Sequence, residues 1–226
     1  MPGDPLSLPA RLYLLSWDTG SGKVTGAAHI HHLVRAGALT ELAQRGLLVD
    51  DDGIAEPVDP DARTGDLALD GLLELVRESR PRRWKTWVTL RARVTLDAVR
   101  AQLAASGYVR AEKKRVLGLF PSVEYEVQRP AVVDELRKQA RLVLEGPVPV
   151  AEVSDRDAVL VALAAAAELR TLVPAKERKR HKERIDQLSE RGGAAAPALK
   201  RVIQEVRSAV IVAVTTSSIT STTTGS

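Results

Sequence analysis

Few residues in this chain stand at spacings that could do covalent chemistry. Gly20-Ser21-Gly22-Lys23 resembles a phosphate-binding loop, but a P-loop needs a glycine five residues before its second Gly and a hydroxyl after the Lys. Those positions hold Trp17 and Val24, so the segment reads as a turn and not as a nucleotide site. On a helix His29 and His32 would share a face, with His31 between them. That is half a metal site with no carboxylate nearby in sequence, so polar side chains at a helix start are the simpler reading and no metal is expected. Asp66 and Asp70 lie one helical turn apart, but Thr64-Gly65-Asp66 suits a helix N-terminus, where an oxygen can accept from free N–H groups. No Gly-x-Ser-x-Gly elbow is present. The absence of cysteine removes disulfides, thiolate nucleophiles and thiolate metal sites together. These residues argue against an enzyme and call for no cofactor.

What remains is charge, unevenly placed. The 226 residues carry a net charge of +4. Asp50, Asp51, Asp52, Glu56, Asp59, Asp61 and Asp66 face only Arg63 in their stretch. Arg77, Arg80, Arg82, Arg83, Lys85, Arg91 and Arg93 then face only Glu78. A solvated surface explains either run, yet segregation of sign along the chain favours an anionic partner. A second basic run spans Lys176 to Arg184. In Lys113-Lys114-Arg115-Val116-Leu117-Gly118-Leu119-Phe120-Pro121 a basic strand feeds an apolar tip. That tip can cover the core, or it can serve a membrane surface, where each nearby base contributes about 1 kcal/mol on an anionic leaflet.

The elements that must hold these residues are mostly helical. With 44% hydrophobic and only 3% aromatic residues, the core is built from Leu, Val and Ala, which favours helices. Apolar spacing predicts helices at Leu33–Arg45, Leu67–Val76, Leu96–Ser106, Val132–Leu144, Asp157–Leu172, Lys176–Ser189 and Ala198–Val214. Gly46 and Gly107 stand where two of these should stop. Asp52-Gly53 marks a hairpin within Leu47–Val58, and a charged hairpin is expected over Tyr108–Val127. Leu6–Asp18 is a short apolar segment. Residues 6–214 read as one mainly α globular domain with surface β-hairpins, and 215–226 as a disordered Ser/Thr-rich tail. Met1-Pro2-Gly3-Asp4 lacks the features of a signal peptide. Ala209–Val214 is too short an apolar run to span a bilayer, so any membrane contact lies at the surface.

Three segments together resemble the Golgi phosphoprotein 3 family: Glu41-Leu42-Ala43-Gln44-Arg45-Gly46-Leu47-Leu48, Thr64-Gly65-Asp66-Leu67-Ala68-Leu69-Asp70, and Arg115-Val116-Leu117-Gly118-Leu119-Phe120-Pro121. Their order and separations match, and the later helices fit, so the resemblance covers nearly the whole chain. It implies a peripheral protein on the cytosolic face of a membrane, binding phosphatidylinositol 4-phosphate and acting as an adaptor for a protein client. Arg35 matches a headgroup arginine of the family. Two further basic positions fall at Arg93, which is kept, and Leu96, which is not; Arg91 or Arg100 stands close enough to substitute. The family's pocket tryptophan falls at Gly26, with Trp17 on the same loop as a replacement. The resemblance assigns membrane contact and self-association to the hairpin holding Leu117, Leu119 and Phe120. Arg outnumbers Lys 24 to 9, which points to a GC-rich bacterial gene and hence to an anionic lipid other than the Golgi one.

The expectation is therefore a non-catalytic, cytoplasmic, peripherally associated protein. It would bind anionic membrane lipid through Arg35, Arg93, Arg91 and Trp17, with a homo-oligomer formed through the apolar hairpin. The rival reading is a winged-helix-like nucleic-acid binder using the Arg77–Arg93 and Lys176–Arg184 bases. Nucleic acid is the less expected partner.

Overall fold

The computed structural model describes residues 6–116, 120–192, 203–205 and 207–216, and of 114–116 and 120–122 the backbone alone. Its centre is α1 (Leu8–Leu15), in which every residue but Arg11 is buried. A helix apolar on all sides belongs inside a protein, and α1 packs against four others, α2 (Ile30–Gln44), α5 (Ala92–Ala105), α6 (Pro130–Glu145) and α7 (Asp155–Ala166). Its first N–H is satisfied from a distance: Leu8 donates to Glu41 Oε2 at 2.6 Å. Glu41 also accepts from Arg45 Nη2 at 2.5 Å, so the Glu41 and Arg45 pair does structural work between α1 and α2.

The glycine stops act as the sequence suggests. Gly46 and Gly107 have φ of 70° and 68°. In both, the next residue reaches back across the helix end, Leu47 N–H to Leu42 O at 2.9 Å and Tyr108 N–H to Leu103 O at 2.8 Å. A hairpin follows each. β3 (Leu48–Asp51) and β4 (Ile54–Pro57) pair through Asp52 and Gly53, whose φ values of 47° and 84° are both positive, as a type I′ turn requires. β5 (Arg82–Arg83) pairs with the far side of β4. β6 (Val109–Val116) and β7 (Phe120–Val127) form the long hairpin, in register from Val109 with Val127 to Val116 with Phe120. Leu117 and Leu119, and the Phe120 side chain, lie outside the described residues. A two-residue pair, β1 (Trp17–Asp18) with β2 (Lys23–Val24), closes the Gly20–Gly22 turn.

Asp66 caps α3 (Leu67–Arg77), accepting from Ala68 N–H at 2.9 Å and Leu69 N–H at 3.0 Å. α4 (Trp84–Thr89) has no counterpart in the apolar spacing, because six residues are too few to display a helical period. It is fixed instead by burial of Trp84 and Trp87. Two predicted helices need correction. α7 ends at Ala166 rather than Leu172, where Glu168 takes φ of 54° and Leu169 N–H returns to Ala164 O at 2.9 Å. Residues 176–181 form turns, and α8 runs over Lys182–Arg191. A helix there would stack Lys176 on Arg180 and Arg180 on Arg184, like charges four apart. The last helical segment covers 203–205 and 207–216, continuing through Thr216; residues 217–226 of the expected tail lie outside the described residues. The fold is mainly α with small antiparallel hairpins.

Candidate anion-binding site

α2 carries His31, His32 and Arg35. Arg35 is fully buried, with 0% exposure. Its Nη2 donates to the Arg91 carbonyl at 2.7 Å, while Nε and Nη1 are buried and bond to nothing among the described residues. Burial alone lowers its pKa, to about 10, so the guanidinium stays charged at neutral pH. Unpaired buried donors are costly, about 1–3 kcal/mol each and more on a charged group, and native proteins leave few of them.

The space beside Arg35 is a cavity of about 210 Å³ between α2, α3 and the first turns of α5. Arg91, Val94 and Thr95 line one wall, and Ala68, Gly71 and Leu72 another. Glu74 and Glu78 also reach it, both on the exposed side of α3. Arg91 sits at the N-cap of α5 with φ of 51°, unusual for a residue with a side chain, and the Arg35 hydrogen bond holds its carbonyl. No acidic residue lies in the first turn of α5 or of α2, so both helix N-termini keep their positive field.

The structure divides the sequence-derived candidates. Arg35 and Arg91 share the cavity. Arg93 is exposed and lies on the histidine side, where it acts with burial to depress His31 and His32. Burial is the larger cause, and it brings His31 down to about 4. The other two rings are held by carbonyls, His29 Nε2 on Ala167 O at 3.1 Å and His32 Nδ1 on Val88 O at 3.3 Å. A carbonyl only accepts, so each of those nitrogens carries its proton. Trp17 is 3% exposed, packs edge-on to Tyr13 at 6.2 Å, and its carbonyl takes a bond from Arg137. It belongs to the core and offers no face for stacking. Arg100 is likewise engaged, donating to the Tyr13 hydroxyl and lying over the Tyr125 ring at 4.7 Å.

Gly26 has a local reason to be glycine. Its φ is 67°, and a Cβ there would meet His29 Nε2 at 2.7 Å. The Gly20–Gly22 turn is also explained: the Asp18 carboxylate accepts from Gly20 N–H at 3.0 Å and the Ser21 hydroxyl at 2.8 Å, spending the donors a phosphate would use. In the second basic run, Arg178 pairs with Glu168, and Arg184 donates to Val143 O and Val148 O at 2.8 Å, so these two bases are engaged within the fold. Glu145, Glu177 and His181 stand close enough together to ligate a metal, but Arg141 Nη2 already bonds both carboxylates and Nη1 fixes it to Leu172 O.

A family model described as Golgi phosphoprotein 3 (GPP34) matches residues 8–206. The chain belongs to the Golgi phosphoprotein 3 family. No curated protein sequence matches it. The Golgi phosphoprotein 3 match runs from the first residue of α1 into the C-terminal helix, so Arg35, Arg91, Arg93 and the long hairpin all fall within it. Among the described residues no helix is long and apolar enough to cross a membrane.

Proposed function

We propose that this member of the Golgi phosphoprotein 3 family is a peripheral membrane protein that takes the phosphate of an anionic lipid headgroup at the cavity beside Arg35. The observation that carries the reading is the Arg35 guanidinium itself, charged, buried, and with Nε and Nη1 unpartnered. A phosphate oxygen reaching the cavity would supply the missing acceptors and the missing counter-charge together. Arg91 lines the same space, adds a second cation and stands at the N-terminus of α5, whose dipole is positive there. Glu74 and Glu78 at the rim oppose a highly charged ligand, which favours a single phosphate over a polyphosphorylated headgroup.

The test is co-sedimentation with neutral vesicles and with vesicles carrying phosphatidylinositol 4-phosphate, phosphatidylglycerol or cardiolipin. The protein is expected to pellet with at least one anionic composition and not with neutral lipid, and Arg35→Met and Arg91→Ala are each expected to remove that pelleting. Equal pelleting of both variants and wild type would overturn the reading. So would failure of the wild type to pellet with any anionic vesicle.

A further inference from the structure

A second concave surface lies between α4 and the C-terminal helix, an open groove of about 1030 Å³ that none of the preceding residues explains. Its walls differ in chemistry. On the α4 side stand His32, Arg83, Lys85 and the hydroxyls of Thr86 and Thr89. On the other, Ala209, Val212 and Ala213 give an apolar strip along one face of the C-terminal helix. Of these, Val212 is the exposed one, at 65%, while Ala209 and Ala213 form the shallow floor beside it at 9% and 8%. Arg83 and Lys85 have no ion-pair partner among the described residues, and Glu205 is the one acid in the lining. Cations on one wall and the exposed Val212 side chain on the other fit a ligand that is anionic at one end and aliphatic at the other.

We propose that this groove seats one acyl chain of an anionic phospholipid, with the lipid phosphate at Arg83 and Lys85 and the chain along Ala209, Val212 and Ala213. The inference rests on the membrane-surface reading above and goes beyond it, since the Arg35 cavity recognises a phosphate and nothing apolar is required there. Thr86 can donate to a phosphate or ester oxygen, and the methylene stems of Arg83 and Lys85 extend the apolar lining under their charges. A lipid drawn partly out of the bilayer would hold the protein on the membrane longer than headgroup contact alone.

The experiment is calorimetric titration of the full chain with soluble phosphatidylglycerols below their micellar concentration, comparing dibutanoyl with dihexanoyl chains, and with glycerol 3-phosphate as the headgroup alone. If one chain enters the groove, two added methylenes tighten binding by about tenfold. Val212→Glu, at an exposed position, is expected to erase that chain-length dependence while leaving vesicle pelleting through Arg35 in place. The Arg83→Ala, Lys85→Ala double variant is expected to weaken both soluble lipids by a common factor. Affinity independent of chain length in a wild type that still pellets overturns the groove inference and leaves the headgroup reading standing. Absence of both pelleting and soluble-lipid binding overturns the two together. A dimer that Val212→Glu dissociates, with no lipid effect, overturns the inference in favour of a second copy of the chain in the groove.

Discussion

With its pKa lowered only to about 10, Arg35 keeps its charge at neutral pH while burying two donors that bond to nothing. Even a buried ion pair can often be replaced by well-packed apolar residues at no cost or with a gain of about 1–4 kcal/mol, and a buried charge without a counter-charge, such as Arg35, carries its desolvation cost uncompensated. Against this, Arg35→Met leaves the Arg91 carbonyl without its donor, roughly 1 kcal/mol. Arg35→Met is therefore expected to hold or raise the melting temperature while removing anionic vesicle binding; a large drop in calorimetry would assign the arginine to folding alone. His31 gives a second residue-scale expectation. Its folded pKa of about 4 lies below the unfolded value of 6.5, so across that window the unfolded chain binds protons that the folded one refuses. Stability is full above the window and falls as pH drops through it, and His29 and His32, shifted the same way, add to the slope. Urea titrations at neutral pH and at about pH 5 should show this loss, and it should shrink in His31→Gln. Arg35 was named from the sequence only through the family resemblance. The isolation of its guanidinium was not legible there, because burial arises from α3 and α5 closing over α2.

Among the elements, the first turn of α5 decides the shape of the cavity. Arg91 at φ 51° spends roughly 1–2 kcal/mol in a left-handed conformation that glycine adopts freely. Arg91→Gly should thus raise stability by about 0.5 kcal/mol once the extra freedom of glycine in the unfolded chain is set against that relief. It should also weaken anionic vesicle binding, because a cation leaves the cavity wall. Opposite signs for the two measurements separate the binding role of the side chain from the backbone's role. The hairpins and the two glycine stops were legible in sequence, since Asp52-Gly53, Gly46 and Gly107 encode positive φ locally. The true start of α5 at Ala92 and the whole of α4 were not. Their residues are set by the burial of Trp84, Trp87 and Ala92 against other elements.

For the molecule as a whole, the cations of β5, α4 and the first turn of α5 lie on the surface: Arg82, Arg83, Lys85, Arg91 and Arg93 are all exposed. Screening over a Debye length of about 10 Å at 0.1 M salt weakens attraction between such a surface and an anionic vesicle. Pelleting should therefore decline steeply as salt rises from low to about 0.5 M, and a salt-independent pellet would point to apolar insertion as the dominant contact. By itself the sequence determined the mainly α class, the hairpin turns, the cap at Asp66, and the family through ordered local segments, because each depends on near neighbours in the chain. Only the tertiary structure decided which basic residues meet. It put Arg35 with Arg91, sent Arg93 to the histidines, buried Trp17, and opened a groove between α4 and a helix more than a hundred residues later. Linear spacing carries no record of such encounters, since packing apolar faces against one another chooses them.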